Sequence, residues 1–352
     1  MQQLIDKLKA RQDLNRSDVG VACGHLLSDS TEDSVRSDFL TALHRKGESV
    51  EEIVFFVQQL SEQSVDPLID PTSFQGPMID VSGTGGDGID LFNVSTTIAF
   101  ILAAGGGVVA KHCNHSITSR CGSADVLETL GVACDLPPDG LKECLQRFGL
   151  GFISARRYHP AYRMMGEMWT RLGRGSRTLF NLLGPLLNPT RPSRQLLGVF
   201  SPRFTGVMGE VLRRLGRERA WVVHGTTETG QSFDEISTCG VTLLAELLNG
   251  KVISGVIDTR WLNIPAGSLD ELKGGDAQEN AAHIQGILSG EIQGAKRNLA
   301  VVNAAGGFVV AGIAHDMSEG ISLAREQIDS GRALERLKNL QTFQFGVERN
   351  AQ

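Results

Sequence analysis

From Met78 onward, short strand-like runs alternate with helix-length segments. The runs are rich in β-branched and apolar residues, and their sequences are PMIDVS, GVVAKH, GFIS, QLLGVF, AWVVHG, VTLLAEL and KVISGVI. Helix-length segments separate several of them, including one from Ser95 to Gly105 and one that begins at Ser123. Because neighbouring parallel strands need a crossover connection, this alternation predicts an α/β fold with a mostly parallel central sheet covered by helices.

The chain before this alternation has a helical pattern. Amphipathic runs follow three N-cap candidates, Ser17, Ser30 and Ser49, the last in capping-box spacing with Glu52. The stretch VDPLIDPTSFQGP then predicts a linker. We therefore expect a small helical domain over residues 1–72, completed by helices around 160–190, beside a larger α/β domain over residues 73–352. Residues after Gln278 are predicted to be helical, with the GGD at 274–276 opening one helix.

Composition excludes several classes of protein. The net charge of −6 and the pI near 5.8 argue against binding nucleic acid by bulk charge. No apolar run reaches membrane-spanning length, and the start MQQLIDKLKARQD lacks a leader pattern, so we expect a cytoplasmic protein with no membrane partner. The six cysteines show neither CxxC pairs nor metal-ligand spacing, which favours buried free thiols over zinc or disulfides.

Two segments rich in glycine and polar residues follow the first two strand-like runs. They are GTGGDGIDLFNVST at 83–96 and KHCNHSITS at 111–119. Glycine permits positive φ and close backbone approach, so consecutive N–H groups can converge on phosphate oxygens. Ser95 and Thr96 are predicted to cap the next helix, whose N-terminus would attract an anion. Ligands of parallel sheets bind at such strand ends, and the two segments therefore predict a phosphate site.

Three other interpretations of the first segment are weaker. Gly83, Gly85 and Gly88 have the GxGxxG spacing of dinucleotide-binding proteins, but the next strand ends in Lys111 rather than in an acidic residue that would bind ribose. No Gly-Lys-Ser/Thr closes the segment as in a Walker loop. A glycine turn without a ligand leaves Asp87 between glycines unexplained. A phosphate site remains the favoured interpretation.

Several motifs together resemble one family in their order along the chain. They are GTGGDGIDLFNVST, KHCNHSITSRCGSADVLETLG, HPAYR, RTLFNLLGPLLNP, VVHG with FDEIS, GGDAQENA and VNAAGG. They are similar to the motifs of the anthranilate phosphoribosyltransferases, which join anthranilate to the ribose of phosphoribosyl pyrophosphate (PRPP) and release pyrophosphate in tryptophan synthesis. The resemblance covers nearly the whole chain. It implies a helical domain beside an α/β PRPP-binding domain, and a homodimer.

The resemblance also implies roles for individual residues. Mg²⁺ would be held by Ser95, Asp234 and Glu235, although in isolation the two acidic residues would suggest only a solvated loop. Mg²⁺ prefers oxygen ligands and commonly uses one or two carboxylates with substrate phosphates. Lys111 would be the main side-chain cation. The implied PRPP site comprises Gly83, Gly86, Asp87, Leu91, Asn93, Val94, Ser95, Thr96, Lys111, His112, Asn114, Ser116, Thr118, Ser119 and Ser123.

The amine acceptor would contact a second set of residues. It comprises Gly83, His112, Asn114, His159, Trp169 and Arg171. No catalytic acid or base is assigned, because an aromatic amine is already neutral and nucleophilic at pH 7. His112 is the nearest candidate for proton transfer, and a hydrogen-bonded wall residue is an equally good interpretation of it. Proximity and stabilisation of the leaving group would then supply most of the rate.

The sequence departs from the family pattern mainly near the acceptor. KHGNR is replaced by KHCNH, which introduces Cys113 and His115, and Leu91 stands where threonine is usual. The helix after HPA should carry an arginine that binds the anthranilate carboxylate. Counting forward without gaps places Trp169 there, whereas counting backward from RTLFN reaches Arg171. Three nearby arginines are candidates to replace that cation, namely Arg156, Arg157 and Arg163.

Three functions therefore stay open at the level of sequence. The first is Mg²⁺-dependent transfer of the phosphoribosyl group to anthranilate. The second is the same reaction on another aromatic amine, favoured by Trp169 because a guanidinium discriminates a carboxylate-bearing acceptor. The third is a non-catalytic relative that binds nucleic acid, which the acidic balance opposes. A nucleoside phosphorylase is weaker still, since the phosphate motif and the acidic pair differ from that class.

Overall fold

The fold was analysed in a computed structural model that describes residues 1–115, 120–159 and 178–346. Four helices form the N-terminal bundle: α1 (Gln2–Lys9), α2 (Arg16–Leu26), α3 (Asp33–Lys46) and α4 (Val50–Ser61). Ser49 and Glu52 form the predicted capping box of α4. The other two predicted caps are wrong, because α2 begins after Asn15 and α3 after Glu32. In α2 the Asn15 side chain accepts the Asp18 N–H and so takes the capping role expected of Ser17.

Strands and helices alternate through the middle of the chain as predicted. In chain order they are β1 (Met78–Gly83), α5 (Val94–Ala104), β2 (Val108–Cys113), α6 (Ser123–Thr129), α7 (Pro138–Phe148), β3 (Leu150–Ser154), α8 (Ala155–Tyr158), α9 (Leu179–Leu183), β4 (Arg194–Gly198), α10 (Arg203–Arg214), β5 (Arg219–Thr226), β6 (Ser232–Phe233), β7 (Val241–Leu248) and β8 (Lys251–Asp258). The C-terminal part is helical: α11 (Leu269–Leu272), α12 (Ala277–Leu288), α13 (Ala295–Ala311), α14 (Met317–Asp329) and α15 (Arg332–Gln341). As predicted, the GGD opens a helix, because Asp276 is the N-cap of α12. Within the described ranges, every helix is too short or too polar to cross a membrane.

The strands form one mixed sheet in the order β3-β2-β1-β4-β5-β7-β8, with β6 paired to β5. Strands β1 to β5 are parallel, whereas β7 runs antiparallel to both β5 and β8. This arrangement confirms the predicted fold class of a helical domain beside an α/β domain with a mostly parallel sheet. The order brings the ends of β1, β4 and β5 side by side, although β4 follows β1 by more than a hundred residues.

Two apolar cores lie on opposite faces of the sheet. The first core packs α5, α12 and α13 against the sheet, and it includes Leu196 of β4 and Trp221 of β5. The second core joins the N-terminal bundle, α9 and α10 to the sheet, and it includes the adjacent Leu197 and Val222. Successive side chains of a strand point to opposite faces, so β4 and β5 contribute to both cores. The predicted domain boundary at residue 72 stays a prediction, and residues 160–177 lie outside the described residues.

Candidate active site

A cleft opens at the carboxyl ends of β1 and β2, the edge at which ligands of parallel sheets bind. The glycine segment, the start of α5, the end of β2, the first turn of α6 and the turn after β6 all contribute to its walls. Of the predicted residues, the cleft is lined by Gly83, Gly86, Asp87, Leu91, Asn93, Val94, Ser95, Lys111, His112, Asn114, Ser123, Asp234 and Glu235. The fold therefore brings both polar segments and the acidic pair to one place.

Glycine conformations shape the loop between β1 and α5. Gly85, Gly86 and Gly88 have φ values of 62°, 77° and 78°, the left-handed region that favours glycine. Within this turned loop the Asp87 carboxylate accepts the Ile89 N–H at 3.2 Å. The positive φ angles thus favour glycine at these positions, and the loop that they shape lines the cleft with Gly85, Gly86 and Asp87.

The second half of the loop is held by the segment before α12. The Gly274 N–H donates to the Asp90 carbonyl at 2.9 Å, and the Phe92 N–H donates to the Leu272 carbonyl at 3.2 Å. A side chain at Gly274 would place its Cβ 2.9 Å from the Leu91 carbonyl oxygen, so only glycine fits this contact. The GGDAQENA motif therefore fastens the glycine loop to the C-terminal helices. The GGD of this motif was predicted to open a helix, but its contact with the glycine loop was not predicted.

The start of α5 differs from the prediction by one residue. The helix begins at Val94 after Asn93, so Ser95 and Thr96 lie in its first turn and are not caps. Ser95 faces the cleft, whereas Thr96 is fully buried and is absent from the cleft lining among the described residues. Asn93 takes the N-cap position because it directly precedes the first residue of the helix. Consecutive residues of a helix point in different directions, so Ser95 faces the cleft while Thr96 faces the core. The side chain of Thr96 thus does not take the predicted position at the PRPP site.

Asp234 and Glu235 lie on a turn that rests directly on three strands. A Cβ at Gly83 of β1 would fall 2.3 Å from Asp234 Oδ2, and one at Gly198 of β4 would fall 1.6 Å from the Asp234 carbonyl oxygen. At Gly225 of β5 it would fall 2.3 Å from the Glu235 carbonyl oxygen. Glycine at all three strand ends therefore permits this close approach. We call residues 233–235 the acidic turn.

The acidic turn is joined to the glycine loop. Asp234 Oδ2 accepts the Gly85 N–H at 2.7 Å, and the carboxyls of Asp234 and Asp87 are hydrogen-bonded to each other. Burial, and next the charge of Asp234, raise the pKa of Asp87 to about 7. Burial and the charge of Asp234 also raise the pKa of Glu235 well above its ordinary value. Three carboxyls held this closely favour a bound cation, because each destabilises the ionised form of its neighbours.

The donor set fits a magnesium ion. Carboxylate oxygens come from the acidic turn, and the Ser95 hydroxyl lies on the adjacent helix, whose Ser95 N–H donates to Glu235. Among the described residues, no three or more His, Cys, Asp or Glu side chains are grouped so that they could hold a metal ion. Mg²⁺ usually takes only one or two carboxylates and fills its remaining positions with water and substrate phosphates, so the acidic turn with Ser95 suits it.

Lys111 is buried at the floor of the cleft. Its Nζ donates to the Val81 carbonyl at 2.7 Å and to Ser95 Oγ at 3.1 Å. Burial lowers its pKa, and the buried carboxylate of Asp80 acts in the opposite direction. The predicted cation is therefore present in the cleft, but its ammonium also fixes the orientation of the Ser95 hydroxyl.

His112 and His159 form a pair of neutral imidazoles. Their ring centroids lie 5.5 Å apart with an edge-to-face orientation. Burial lowers the pKa of His112 to about 3 and that of His159 to about 4. The His112 Nδ1–H donates to the Gly184 carbonyl at 3.0 Å, whereas its buried Nε2 has no partner among the residues that the structure describes. His112 can thus accept a hydrogen bond from a ligand but carries no charge at neutral pH.

The second polar segment begins inside β2 and leaves the sheet at Asn114. Its first three residues, Lys111 to Cys113, belong to the strand. The Asn114 N–H donates to Ser123 Oγ at 3.1 Å, and the Asn114 side chain accepts the His115 N–H at 2.9 Å. His115 Nδ1 lies 2.6 Å from the Asp125 carboxylate of α6. Other predicted residues lie outside the described residues, namely Ser116, Thr118, Ser119, Arg163, Trp169 and Arg171.

Two of the arginines suggested as substitute cations lie away from the cleft. Arg157 makes two hydrogen bonds of 2.9 Å to the Asp135 carboxylate. Arg156 and Arg157 are both exposed, and neither lines the cleft in the described part of the chain. The carboxylate-binding cation expected from the resemblance is therefore not supplied by these two residues.

One wall of the cleft was not predicted from the sequence. Phe180, Asn181, Gly184 and Pro185 line it. The Asn181 amide accepts the Thr178 N–H at 3.0 Å and donates to the Thr84 carbonyl at 3.5 Å, which joins α9 to the end of β1. The RTLFNLLGPLLNP motif was the available signal, and it was used for the resemblance without roles for its residues.

Both parts of the chain match domains of one known protein family. Residues 2–64 match the helical bundle domain of the glycosyl transferase family, and residues 75–334 match its a/b domain. The anthranilate phosphoribosyltransferase of Alkaliphilus metalliredigens is 42% identical over 340 residues, covering 97% of each chain. That of Agrobacterium fabrum is 41% identical over 97% of this chain and 96% of the relative. The chain belongs to the anthranilate phosphoribosyltransferase family.

Solved structures of anthranilate phosphoribosyltransferases share this fold. The enzyme of Thermus thermophilus has a TM-score of 0.83 and 35% identity, covering 96% of this chain and 98% of that one. The enzyme of Saccharomyces cerevisiae in complex with PRPP and Mg has a TM-score of 0.82 and 25% identity, covering 96% of both chains. The resemblance and the fold class inferred from sequence are confirmed. The chain is an enzyme of the pentosyltransferase class within the glycosyltransferases.

Proposed function

We propose that this anthranilate phosphoribosyltransferase relative transfers the phosphoribosyl group of PRPP to anthranilate in a Mg²⁺-dependent reaction. The products are N-(5-phosphoribosyl)anthranilate and pyrophosphate. The observation that carries the proposal is the joining of the acidic turn to the glycine loop through the 2.7 Å bond between Asp234 and the Gly85 N–H. It supports the proposal because departure of pyrophosphate would need a cation bound beside the phosphate-binding loop.

The chain's own residues bind and orient the donor. The glycine-loop N–H groups and the first turn of α5 bind phosphate oxygens, since a helix N-terminus favours anions. Ser95, Asp234 and Glu235 would hold Mg²⁺, and Asp87 adjoins them. When bound, the ion neutralises negative charge that develops on the leaving pyrophosphate. The Asn93 amide donates to the Cys121 carbonyl at 3.5 Å, and the Asn114 N–H donates to Ser123 Oγ at 3.1 Å, so these bonds would hold the two loops around the donor.

The acceptor amine would approach from the wall formed by His112 and Asn114. His112 is neutral, with an unpartnered Nε2 among the described residues, so it can accept an N–H of the amine and orient its lone pair. We assign no acid or base, because the amine needs no activation at pH 7. Holding the amine nitrogen near the ribose C1 in the correct orientation then supplies much of the rate.

A second acceptor is supported by the composition of that wall. Cys113 and Leu91 line the cleft where the family pattern has glycine and threonine. With Arg156 and Arg157 turned to solvent, another aromatic amine remains an alternative substrate for the same reaction. A nucleic-acid-binding role without catalysis is opposed by the net charge of −6 and by the intact acidic turn.

Product formation from PRPP and anthranilate tests the proposal directly. We expect turnover that needs Mg²⁺ and stops with EDTA. Asp234→Asn combined with Glu235→Gln should lower kcat/KM at least about a hundredfold, the scale for losing a charge-stabilising group. Glu228→Gln, a change at an exposed acidic residue nearby, is the matched control and should retain activity. Unchanged turnover in EDTA or in the double variant would contradict the metal role. Faster turnover of another arylamine would show that this amine, and not anthranilate, is the acceptor of the same reaction.

A further inference from the structure

Buried hydrogen bonds determine the orientation and the tautomer of His112 on the wall of the cleft. The His112 Nδ1–H donates to the Gly184 carbonyl at 3.0 Å. A carbonyl oxygen only accepts, so the single ring proton of the neutral imidazole lies on Nδ1, and Nε2 keeps its lone pair. The position of the Gly184 carbonyl therefore decides which nitrogen of His112 is free to accept a hydrogen bond from a ligand.

The Gly184 carbonyl belongs to a short segment that is attached to the sheet by Gln195. Gly184–Leu186 is a 3-10 turn, and we call residues 184–188 the wall segment. The Gln195 Nε2–H donates to the Pro185 carbonyl at 2.7 Å. Gln195 is the second residue of β4 and is fully buried. Because water cannot replace the partner of a fully buried amide, this bond holds the wall segment in one position.

Arg217 determines which end of the Gln195 amide faces the wall segment. The Arg217 Nε–H donates to Gln195 Oε1 at 3.2 Å, and Arg217 is itself buried. A guanidinium only donates hydrogen bonds, so the amide oxygen must face Arg217 and the amide NH₂ must face the Pro185 carbonyl. The same NH₂ lies 3.5 Å from Ser82 Oγ of β1, which is its second acceptor.

The far end of the wall segment is attached to β2. Asn188 Nδ2 donates to the Ala110 carbonyl at 2.7 Å, two residues before His112. The Leu187 carbonyl accepts a hydrogen bond from His159 Nε2, and the rings of His159 and His112 are in edge-to-face contact. The wall segment is therefore held between β2 and β4, and its carbonyls accept from both histidines.

We propose that Gln195 and Arg217 are positioning residues for the acceptor, because through the wall segment they hold His112 in the Nδ1–H tautomer. In this tautomer Nε2 can accept an N–H of the amine. Without the Gln195 donor the wall segment loses its attachment to β4, and the Gly184 carbonyl no longer fixes the ring proton on Nδ1. The other tautomer, with its proton on Nε2, cannot accept from the amine. Neither Gln195 nor Arg217 lines the cleft in the described part of the chain, so both act through the histidine.

Neutron diffraction from crystals of the full-length, substrate-free enzyme tests the tautomer. In the wild type we expect the ring proton of His112 on Nδ1 alone. Gln195→Met keeps the length of the side chain but removes the donor, so a proton should also be found on Nε2. Gln195→Glu still offers an oxygen to Arg217, which favours the ionised carboxylate, but offers no N–H to the wall segment and should give the same result. Gln327→Met replaces another buried glutamine, in α14, and should leave the tautomer unchanged.

A double-mutant cycle tests whether Gln195 acts through the histidine. This part rests on the proposed function, whereas the position of the ring proton does not. Gln195→Met should lower kcat/KM for anthranilate about tenfold, the scale of one lost hydrogen bond, and leave KM for PRPP unchanged. In a His112→Phe enzyme, which has no ring nitrogen, adding Gln195→Met should have little further effect, because the two residues act as one unit. Arg217→Met should follow the same pattern, and Gln327→Met should keep wild-type kinetics.

Two results would overturn the proposal. A proton on Nε2 of His112 in the wild type, or an unchanged tautomer in both Gln195 variants, would show that Gln195 does not position the ring. An equal loss for both substrates, or fully additive effects of Gln195→Met and His112→Phe, would show a general structural role instead. If the wild-type enzyme uses no arylamine at all, the proposed function fails, and the neutron structures still decide whether Gln195 sets the tautomer.

Discussion

Asp87 carries a carboxyl whose charge changes near neutral pH. Its pKa is about 7 in the fold against 3.8 as the reference value, because it is buried beside Asp234. Between about pH 4 and pH 7 the unfolded chain has released this proton while the folded chain still binds it. Stability of the metal-free protein therefore falls as pH rises through this window, since the folded state binds more protons than the unfolded state. A bound cation would offset this loss by pairing with the ionised carboxyls.

Stabilisation by magnesium is thus expected to depend on pH. The rise in melting temperature on adding Mg²⁺ with pyrophosphate should be larger at pH 8 than at pH 6, because protons compete with the metal at the lower pH. Thermal unfolding at both pH values measures this. Asp87→Asn should reduce the difference between them. An equal rise at pH 6 and pH 8 in the wild-type enzyme would show that these carboxyls do not bind the metal.

At the level of elements, the order of the strands in the sheet determines which loops meet at the cleft. The acidic turn follows β6, yet it rests on the ends of β1, β4 and β5 because those strands are adjacent. Glycines at the three ends leave the space that the turn occupies. The polar chemistry of the site thus depends on backbone contacts between elements far apart in the chain.

Adding one methyl group at a strand end should disable the acidic turn. A Cβ at Gly198 would lie 1.6 Å from the Asp234 carbonyl oxygen, so Gly198→Ala must displace the turn. We expect a loss of stability of about 1–3 kcal/mol and a fall in kcat/KM of about a hundredfold. Steady-state kinetics with a melting curve measure both.

Gly206→Ala in α10 is the control, because its Cβ meets no atom of the described chain within 4 Å. It should leave activity unchanged and stabilise the protein slightly, since alanine favours helix over glycine. Wild-type kinetics for Gly198→Ala would contradict the role of the close approach.

The individual helices and strands were predicted from the sequence better than the contacts between them. Alternation of strands and helices predicted the sheet, and glycine chemistry predicted the loop after β1. The pairing of Asp87 with Asp234 was not predictable, because strand order is not encoded in local patterns. The helix start at Val94 was misplaced since Ser95 resembles a cap, whereas Asn93 occupies that position. The roles of Gly274 and Asn181 likewise depend on contacts made only in the folded chain.

The whole molecule is stabilised by two cores that share one sheet. The second core contains helices of the N-terminal bundle together with Leu197 and Val222 of the sheet. The bundle and the sheet therefore bury apolar surface against each other, and neither core can open without exposing residues of β4 or β5. We expect the two parts to unfold together.

Truncation of a bundle residue tests this coupling. Phe56 of α4 is fully buried in the second core, so Phe56→Ala should destabilise the enzyme by about 3–5 kcal/mol. Hydrogen exchange should show lost protection in peptides from both α4 and β4. Phe55→Ala, at the neighbouring and only partly buried phenylalanine, should cost less. Faster exchange confined to the bundle would indicate that it unfolds independently.

The neutral ring of His112 has a use beyond the reaction. Because burial lowers its pKa to about 3, the ring stays neutral and its two nitrogens keep distinct bonding states around neutral pH. If the amine substrate binds at Nε2 as proposed, nitrogen NMR signals from this imidazole would report its binding without interference from protonation. The histidine is a built-in spectroscopic probe of the cleft.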